Sequence, residues 1–407
     1  MSMLTRRRFC EIALAAPAIG AKGLRKPIVN SDNLRKIGQV ENSLMELRDG
    51  KAVRVNLPLP ERMQQQHVPG LSIAVIDNYE IAWTKAYGVL EQGTPTPVTS
   101  QTLFAAGSIS KPVSTAAALK LVEIGSLKLD EDVNGKLRSW KVPENEFTKT
   151  EKVTLRRLLS HSAGLNEGGA PSFAIGEERI TLLQTLDAAP PTNSGFSDRA
   201  AEPVRVQAIP GSRFLYSPGG FAILTILIED VERKPFETIL QDTILRPLGM
   251  NSSTFSQPLP HRFVRRATTE HDGGEPLEEK RRYFPSLAAG GLWTTPTDLA
   301  RFAVEIMLCW LGKSHKILTS QSVREMLTCQ IGDCGGQGGQ GLGFGIQSPK
   351  GQLRFAHQGR TYGSACLLVA YPAIGQGAVV MANDIPDGDK LVMETASAIG
   401  VVYNWPW

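Results

Sequence analysis

Ser108-Ile109-Ser110-Lys111 sets a hydroxyl and an amine three residues apart. On a helix, positions i and i+3 share a face, so the two side chains meet. A serine at the helix start lies near the positive end of the dipole, which favours a developing alkoxide. A lysine amine at its ordinary pKa of about 10.4 is no base at neutral pH. Burial or a second cation lowers such a pKa and frees the amine to take a proton. The chemistry on offer is nucleophilic attack by Ser108 with Lys111 managing its proton. Alone, the four-residue pattern is weak, and its bland reading is a helix-capping serine beside a solvated lysine.

The elements that must position this pair are legible along the chain. Leu34, Ile37, Val40, Leu44 and Leu47 predict a helix over Asn30 to Asp49. Leu71 to Ile76 and Glu80 to Tyr87 read as a hairpin turning at Asp77-Asn78. Ser108 to Ile124 reads as a helix closed by Gly125, and further helices are expected near Leu155 to Leu159 and over Ala222 to Val231. Thr295-Pro296-Thr297-Asp298 has the order of a helix start. Ala365 to Tyr371 and Gly377 to Asn383 are apolar runs of strand length, and Asp389 to Val401 closes the chain as a helix. Strands at both ends and helices between them imply one α/β lobe built from both termini, with a helical lobe inserted. The expected boundaries are about 30–105 and 290–407 for the first lobe and 106–289 for the second. Residues 335–339 (GGQGG) read as a flexible loop, since a phosphate cradle would need a following Lys-Ser/Thr and a helix start.

Six segments occur in a fixed order: FAAGSISK at 104–111, LLSHSAGL at 158–165, PGSRFLYS at 210–217, RPLGM at 246–250, AAGGLWTT at 288–295 and HQG at 357–359. With them the chain, from about Val68 to Asn383, resembles the serine β-lactamase superfamily. The branch it looks like holds class C β-lactamases, D-Ala carboxypeptidases, D-aminopeptidases and lactamase-like carboxylesterases. The resemblance implies an antiparallel sheet flanked by helices from both chain ends, and hydrolysis through an acyl-enzyme without metal or cofactor. It implies Ser108 as nucleophile and Lys111 with Tyr216 as the proton-handling pair. Such a pair titrates jointly, so neither is singled out as the base.

One position departs from the family pattern. Pro218 stands where the Tyr-x-Asn motif has asparagine, and proline supplies no side-chain hydrogen bond. An activated ester needs less alignment than an amide, so this favours esters of modest size over D-Ala peptides and β-lactams. His357-Gln358-Gly359 stands where class C enzymes have Lys-Thr-Gly. The resemblance puts His357 on a strand edge facing the site, to bind a substrate carboxylate when protonated or to relay a proton. It has Gly359 keep that edge clear and pairs the N–H groups of Arg360 and Ser108 as an oxyanion hole. The Arg360 side chain either clamps an acidic substrate or stays solvated. His161 reads as a turn anchor, Gly290-Gly291 as a place of close backbone approach, and Trp293 as pocket lining or core. Residues 166 to 205 form a Gly/Pro/Ser-rich insertion expected to roof the cleft. A non-catalytic protein that binds penicillin or peptide is the rival of another class.

Composition excludes other classes. The 407 residues are 42% apolar, and 44 Lys plus Arg against 40 Asp plus Glu leave a net charge of +4. There is no concentrated basic face of the kind nucleic acid requires, and no apolar run of membrane-spanning length. Residues 1–22 carry Thr5-Arg6-Arg7-Arg8-Phe9, a short Ala-rich apolar stretch and small residues. They read as a signal peptide resembling the twin-arginine type, which implies a periplasmic or secreted protein with residues 23–407 as the hydrolase domain. Cys329 and Cys334 flank a short loop and are able to pair in an oxidising compartment; unpaired thiols at all four remaining cysteines are the alternative. No cysteine or histidine spacing suggests a metal.

Overall fold

The computed structural model describes residues 30–48, 51–169, 171–189, 202–335 and 338–406. The targeting segment at 1–22 lies outside them.

Eight strands form one antiparallel sheet: β1 (Gly70–Asp77), β2 (Glu80–Gly88), β3 (Ile331–Asp333), β4 (Gly338–Gln340), β5 (Gly345–Gln347), β6 (Arg354–Arg360), β7 (Ala365–Tyr371) and β8 (Gln376–Ala382). Their order is β3-β4-β5-β6-β7-β8-β1-β2. The two ends of the chain join where β8 pairs with β1, from Gly377 opposite Ile76 to Ala382 opposite Leu71. Central strands are covered on both faces and therefore read as continuous apolar runs; β7 is buried throughout. Period-2 alternation still sorts its side chains. Leu368 and Ala370 face the inserted helices, while Leu367 and Val369 face the terminal ones.

Five longer helices complete the layers: α1 (Ser31–Glu41), α2 (Ser110–Glu123), α3 (Pro218–Glu232), α4 (Pro296–Trp310) and α5 (Asp387–Val402). Helices α1 and α5 cover one sheet face, and α4 with the inserted α2 and α3 lies on the other. Helix α2 is buried nearly all round, from Ser110 through Leu119. That is the pattern of a helix enclosed by protein, without a polar outer face. Helix α4 starts as its sequence predicts, with Thr295 Oγ1 accepting from the Asp298 N–H and Pro296 at the first helical position.

Several expectations are corrected. The first helix ends at Glu41 and gives way to a hairpin, Met45–Arg48 against Lys51–Arg54. Asn42 and Ser43 turn their side chains back on the carbonyls of Gly38 and Gln39, a local competition that closes helices. The nucleophile position does not lie inside α2. Ser108 occupies a 3₁₀ turn, Gly107–Ile109, and the α-helix begins at Ser110. The glycine-rich stretch is only partly a loop, because Gly338 and Gly339 enter strand β4. Cys329 and Cys334 form a disulfide just before it, and Cys309 and Cys366 are buried free thiols. Trp293 belongs to the core, packed with Leu103, Phe263 and Ala267.

Strand β6 rests on an aromatic stack. Phe344, fully buried, lies 4.8 Å from Phe355 and 6.4 Å from Phe302 between ring centroids. Phe344→Ala should lower stability by about 3–5 kcal/mol, as removal of a buried phenyl ring does, read from denaturant unfolding.

Candidate active site

The turn that carries Ser108 is fixed from both sides. Gly107 has φ +49°, a conformation glycine adopts without strain. Ser110 Oγ donates to the Gly107 carbonyl at 2.6 Å and accepts from the Leu292 N–H at 3.0 Å. The Ala106 N–H donates to the Leu292 carbonyl at 2.8 Å. The FAAGS and AAGGL segments are thus stitched together under the turn.

Ser108, Lys111 and Tyr216 come together. Lys111 Nζ donates to Ser108 Oγ at 2.8 Å and to the Ala289 carbonyl at 2.9 Å. Tyr216 Oη lies 2.8 Å from Ser108 Oγ. The Lys111 side chain is 1% exposed, and its ammonium also lies 5.0 Å from the Tyr216 ring centroid and 5.6 Å from that of Phe221. Aromatic faces stabilise a desolvated cation. The Ala289 carbonyl was not legible as a lysine partner, because a backbone acceptor leaves no mark on residue type.

Tyr216 is delivered by the start of α3. Ser217 caps the helix by accepting from the Gly220 N–H, and Pro218 occupies the first helical position, where a missing N–H leaves nothing unpaired. Ser217 Oγ also donates to the Asn166 carbonyl at 2.5 Å. His161 accepts the Ser217 N–H on Nδ1 at 3.1 Å, and its carbonyl accepts the Leu215 N–H at 2.8 Å.

Strand β6 closes the other side. Beyond Ala356, the last residue opposite β5, its outer edge is unpaired within the sheet. A side chain at Gly359 would overlap the Ala106 carbonyl, and one at Gly107 would come within 2.7 Å of the Arg360 nitrogen. The Arg360 N–H therefore lies on the edge that faces the Ser108 turn. His357 is half-buried in the cleft wall, with Nδ1 donating to the Gln358 carbonyl at 2.5 Å. Burial, with the nearby Lys111 ammonium, holds its imidazole down to about 3. These surroundings disfavour the protonated form of His357 that carboxylate binding requires and leave the proton-relay role open. The Arg360 side chain is exposed at the cleft rim and pairs with Asp389 at the start of α5, at 2.6 Å. Nothing in the spacing of Arg360 and Asp389 announced that pair.

These groups open into a cleft of about 620 Å³, walled by Tyr216, Pro218, Phe284, His357, Met393 and Arg354 among others. Glu167, from the start of the 166–205 insertion, reaches it too; residues 170 and 190–201 of that insertion lie outside the described ones. A larger, shallow groove of about 890 Å³ beside α1 shares no lining residue with the cleft. Among the described residues no cluster of His, Cys, Asp or Glu could hold a metal, and no helix is long and apolar enough to cross a membrane.

A serine held between a lysine and a tyrosine at the mouth of this fold is the arrangement of a hydrolase that works through an acyl-enzyme. The Beta-lactamase family profile matches residues 59–399, and the chain belongs to that family. It shares 27% identity over 334 residues with penicillin-binding protein 4 of Amycolatopsis lactamdurans, covering 78% of this chain and 82% of that one. With protein flp of Staphylococcus aureus it shares 23% identity over 79% of its own length, and it spans 61% of that relative. The fold matches the octameric penicillin-binding protein homologue from Pyrococcus abyssi with a TM-score of 0.67 at 24% identity, covering 84% of this chain and 75% of that one. Serine-hydrolase chemistry comes with the family.

Two outcomes test this geometry. Gly359→Ala should lower kcat/KM on the order of 10²-fold or more, because β6 must retreat from the Ser108 turn and misaligns the N–H edge. Burial holds His161 and His357 below the ordinary histidine value of 6.5. The unfolded chain therefore takes protons first as pH falls. The stability these neutral rings contribute is present above about pH 6.5 and is lost on acidification. His357→Asn should flatten the fall of melting temperature between about pH 6.5 and pH 4.

Proposed function

We propose that the protein hydrolyses carboxylic esters of modest size through an acyl-enzyme on Ser108. The observation that carries this reading is the double contact of Ser108 Oγ, 2.8 Å from both Lys111 Nζ and Tyr216 Oη. With one of the two groups of the Lys111–Tyr216 pair unprotonated, Ser108 attacks the ester carbonyl and its proton passes to that pair. The N–H groups of Ser108 and Arg360 hold the oxyanion. Tyr216 returns the proton to the leaving alkoxide, and water then releases the acid. Three features favour an uncharged ester over an amide with a carboxylate. Pro218 offers the substrate amide no side-chain partner. His357 is neutral, and Arg360 is already paired with Asp389.

A second reading, cleavage of a D-Ala peptide or β-lactam, draws on Arg354 in the cleft wall and on the name of the Amycolatopsis relative. Export to the periplasm or beyond is part of the proposal. It rests on the arginine-rich and apolar segment within residues 1–22 and on the Cys329–Cys334 disulfide, which suits an oxidising compartment.

A short-chain p-nitrophenyl ester should turn over, and Ser108→Ala should abolish the activity while nitrocefin is cleaved slowly or not at all. Fast nitrocefin cleavage would move the function to β-lactams. Turnover of neither by folded protein would leave a peptide-specific enzyme or a binding protein.

A further inference from the structure

His161 is 2% exposed and sits at φ +53°, in the left-handed region that a side chain seldom adopts. Its Nδ1 accepts from the Ser217 N–H, so the ring proton is on Nε2. That Nε2 is buried without a hydrogen-bond partner. An anchor for one backbone N–H needs none of this. Asparagine offers an acceptor at the same branch point and adopts the left-handed region more readily. What an imidazole adds is a ring, and that ring lies against Tyr216, with centroids 4.4 Å apart and planes inclined by 35°. Phe221, at 5.3 Å, and Phe214, at 5.9 Å, pack around His161 in turn. Burial, then the charge of the nearby Lys111, holds His161 well below the usual histidine range. The ring is neutral and adds no charge beside the Lys111 ammonium.

We infer that His161 is a positioning residue whose ring fixes the plane of Tyr216, and so keeps Oη 2.8 Å from Ser108 Oγ. The inference rests on the Ser108–Lys111–Tyr216 reading above but does not depend on the ester. A tyrosine has two side-chain torsions, and backbone capping at Ser217 constrains neither. A flat, immobile neighbour on one face restricts both. A displacement of roughly 1 Å of a group in the reacting geometry costs on the order of 10²-fold in rate.

The test is a cycle of His161→Asn, Tyr216→Phe and the double variant, each read two ways. One reading is kcat and KM on p-nitrophenyl acetate. The other is the rate of Ser108 labelling by an alkyl fluorophosphonate. In that reaction the Oγ–P bond forms, the P–F bond breaks with loss of fluoride, and the serine proton passes to the Lys111–Tyr216 pair. His161→Asn keeps an acceptor for the Ser217 N–H and suits the backbone. It should melt near the parent protein and leave KM within about twofold, yet slow labelling and kcat by roughly 10- to 100-fold. In the Tyr216→Phe background the same change should cost less than about twofold. An undiminished rate in His161→Asn, or an equal loss in both backgrounds, overturns the inference. If His161→Asn melts early, His161→Gln replaces it, with rates taken below both transitions. A parent protein that labels without turning over the ester sinks the ester reading alone. One that does not label removes Ser108 and His161 together.

Discussion

Lys111 is 1% exposed, between the sheet and the inserted helices, with its amine reaching the floor of the cleft. A charge taken out of water is tolerated only where polar groups and polarisable faces replace the lost hydration. The neighbourhood is arranged around that requirement. Ser108 Oγ and the Ala289 carbonyl accept from the ammonium, and the Tyr216 and Phe221 rings flank it. The same charge reaches outward, since Lys111 helps to hold both His161 and His357 neutral. Lys111 thus adds to burial in holding two histidines neutral, and it contacts the serine oxygen directly.

The second constraint is closeness. A nucleophile turn and a strand edge can share one oxyanion only if their backbones nearly touch. Gly107 and Gly359 are the two places where a methyl group would collide with the opposite chain. Ser110 fastens the turn from beneath, and the Phe302–Phe344–Phe355 stack supports β6. The sheet that carries β6 is itself closed by pairing strands from opposite ends of the sequence, β8 with β1. The contact between the site's two halves is thus a property of the whole domain and of neither lobe alone.

Much of this was legible. Apolar runs gave β1, β7 and β8 within a residue or so, because strands buried on both faces cannot hide in composition. Caps gave α4, where Thr-Pro-Thr-Asp states its own geometry. The i, i+3 spacing put Ser108 and Lys111 together even though Ser108 lies in a 3₁₀ turn, since both helix types bring such neighbours to one side. What escaped was set by partners and not by pattern. The first helix stopped early because Asn42 and Ser43 turned on their own backbone. The charge state of His357 depended on burial and on Lys111, 246 positions away. The fate of Arg360 depended on Asp389, which no spacing rule connects to it.

Pro218 shows how a motif can change its chemistry and keep its architecture. At the first position of α3 a proline fits as well as any residue, its fixed φ suiting the helix and its missing N–H leaving no gap. Ser217 before it still caps the helix and still reaches Asn166. The delivery of Tyr216 is therefore indifferent to which side chain follows at 218. What the proline withholds is a pair of amide hydrogen-bonding groups projecting into the cleft. The remaining polar contacts of the Lys111 ammonium are to Ser108 and to a backbone carbonyl, both fixed by the fold. The departure from the family pattern thus leaves the Ser108–Lys111–Tyr216 contacts in place and alters what the cleft offers a substrate.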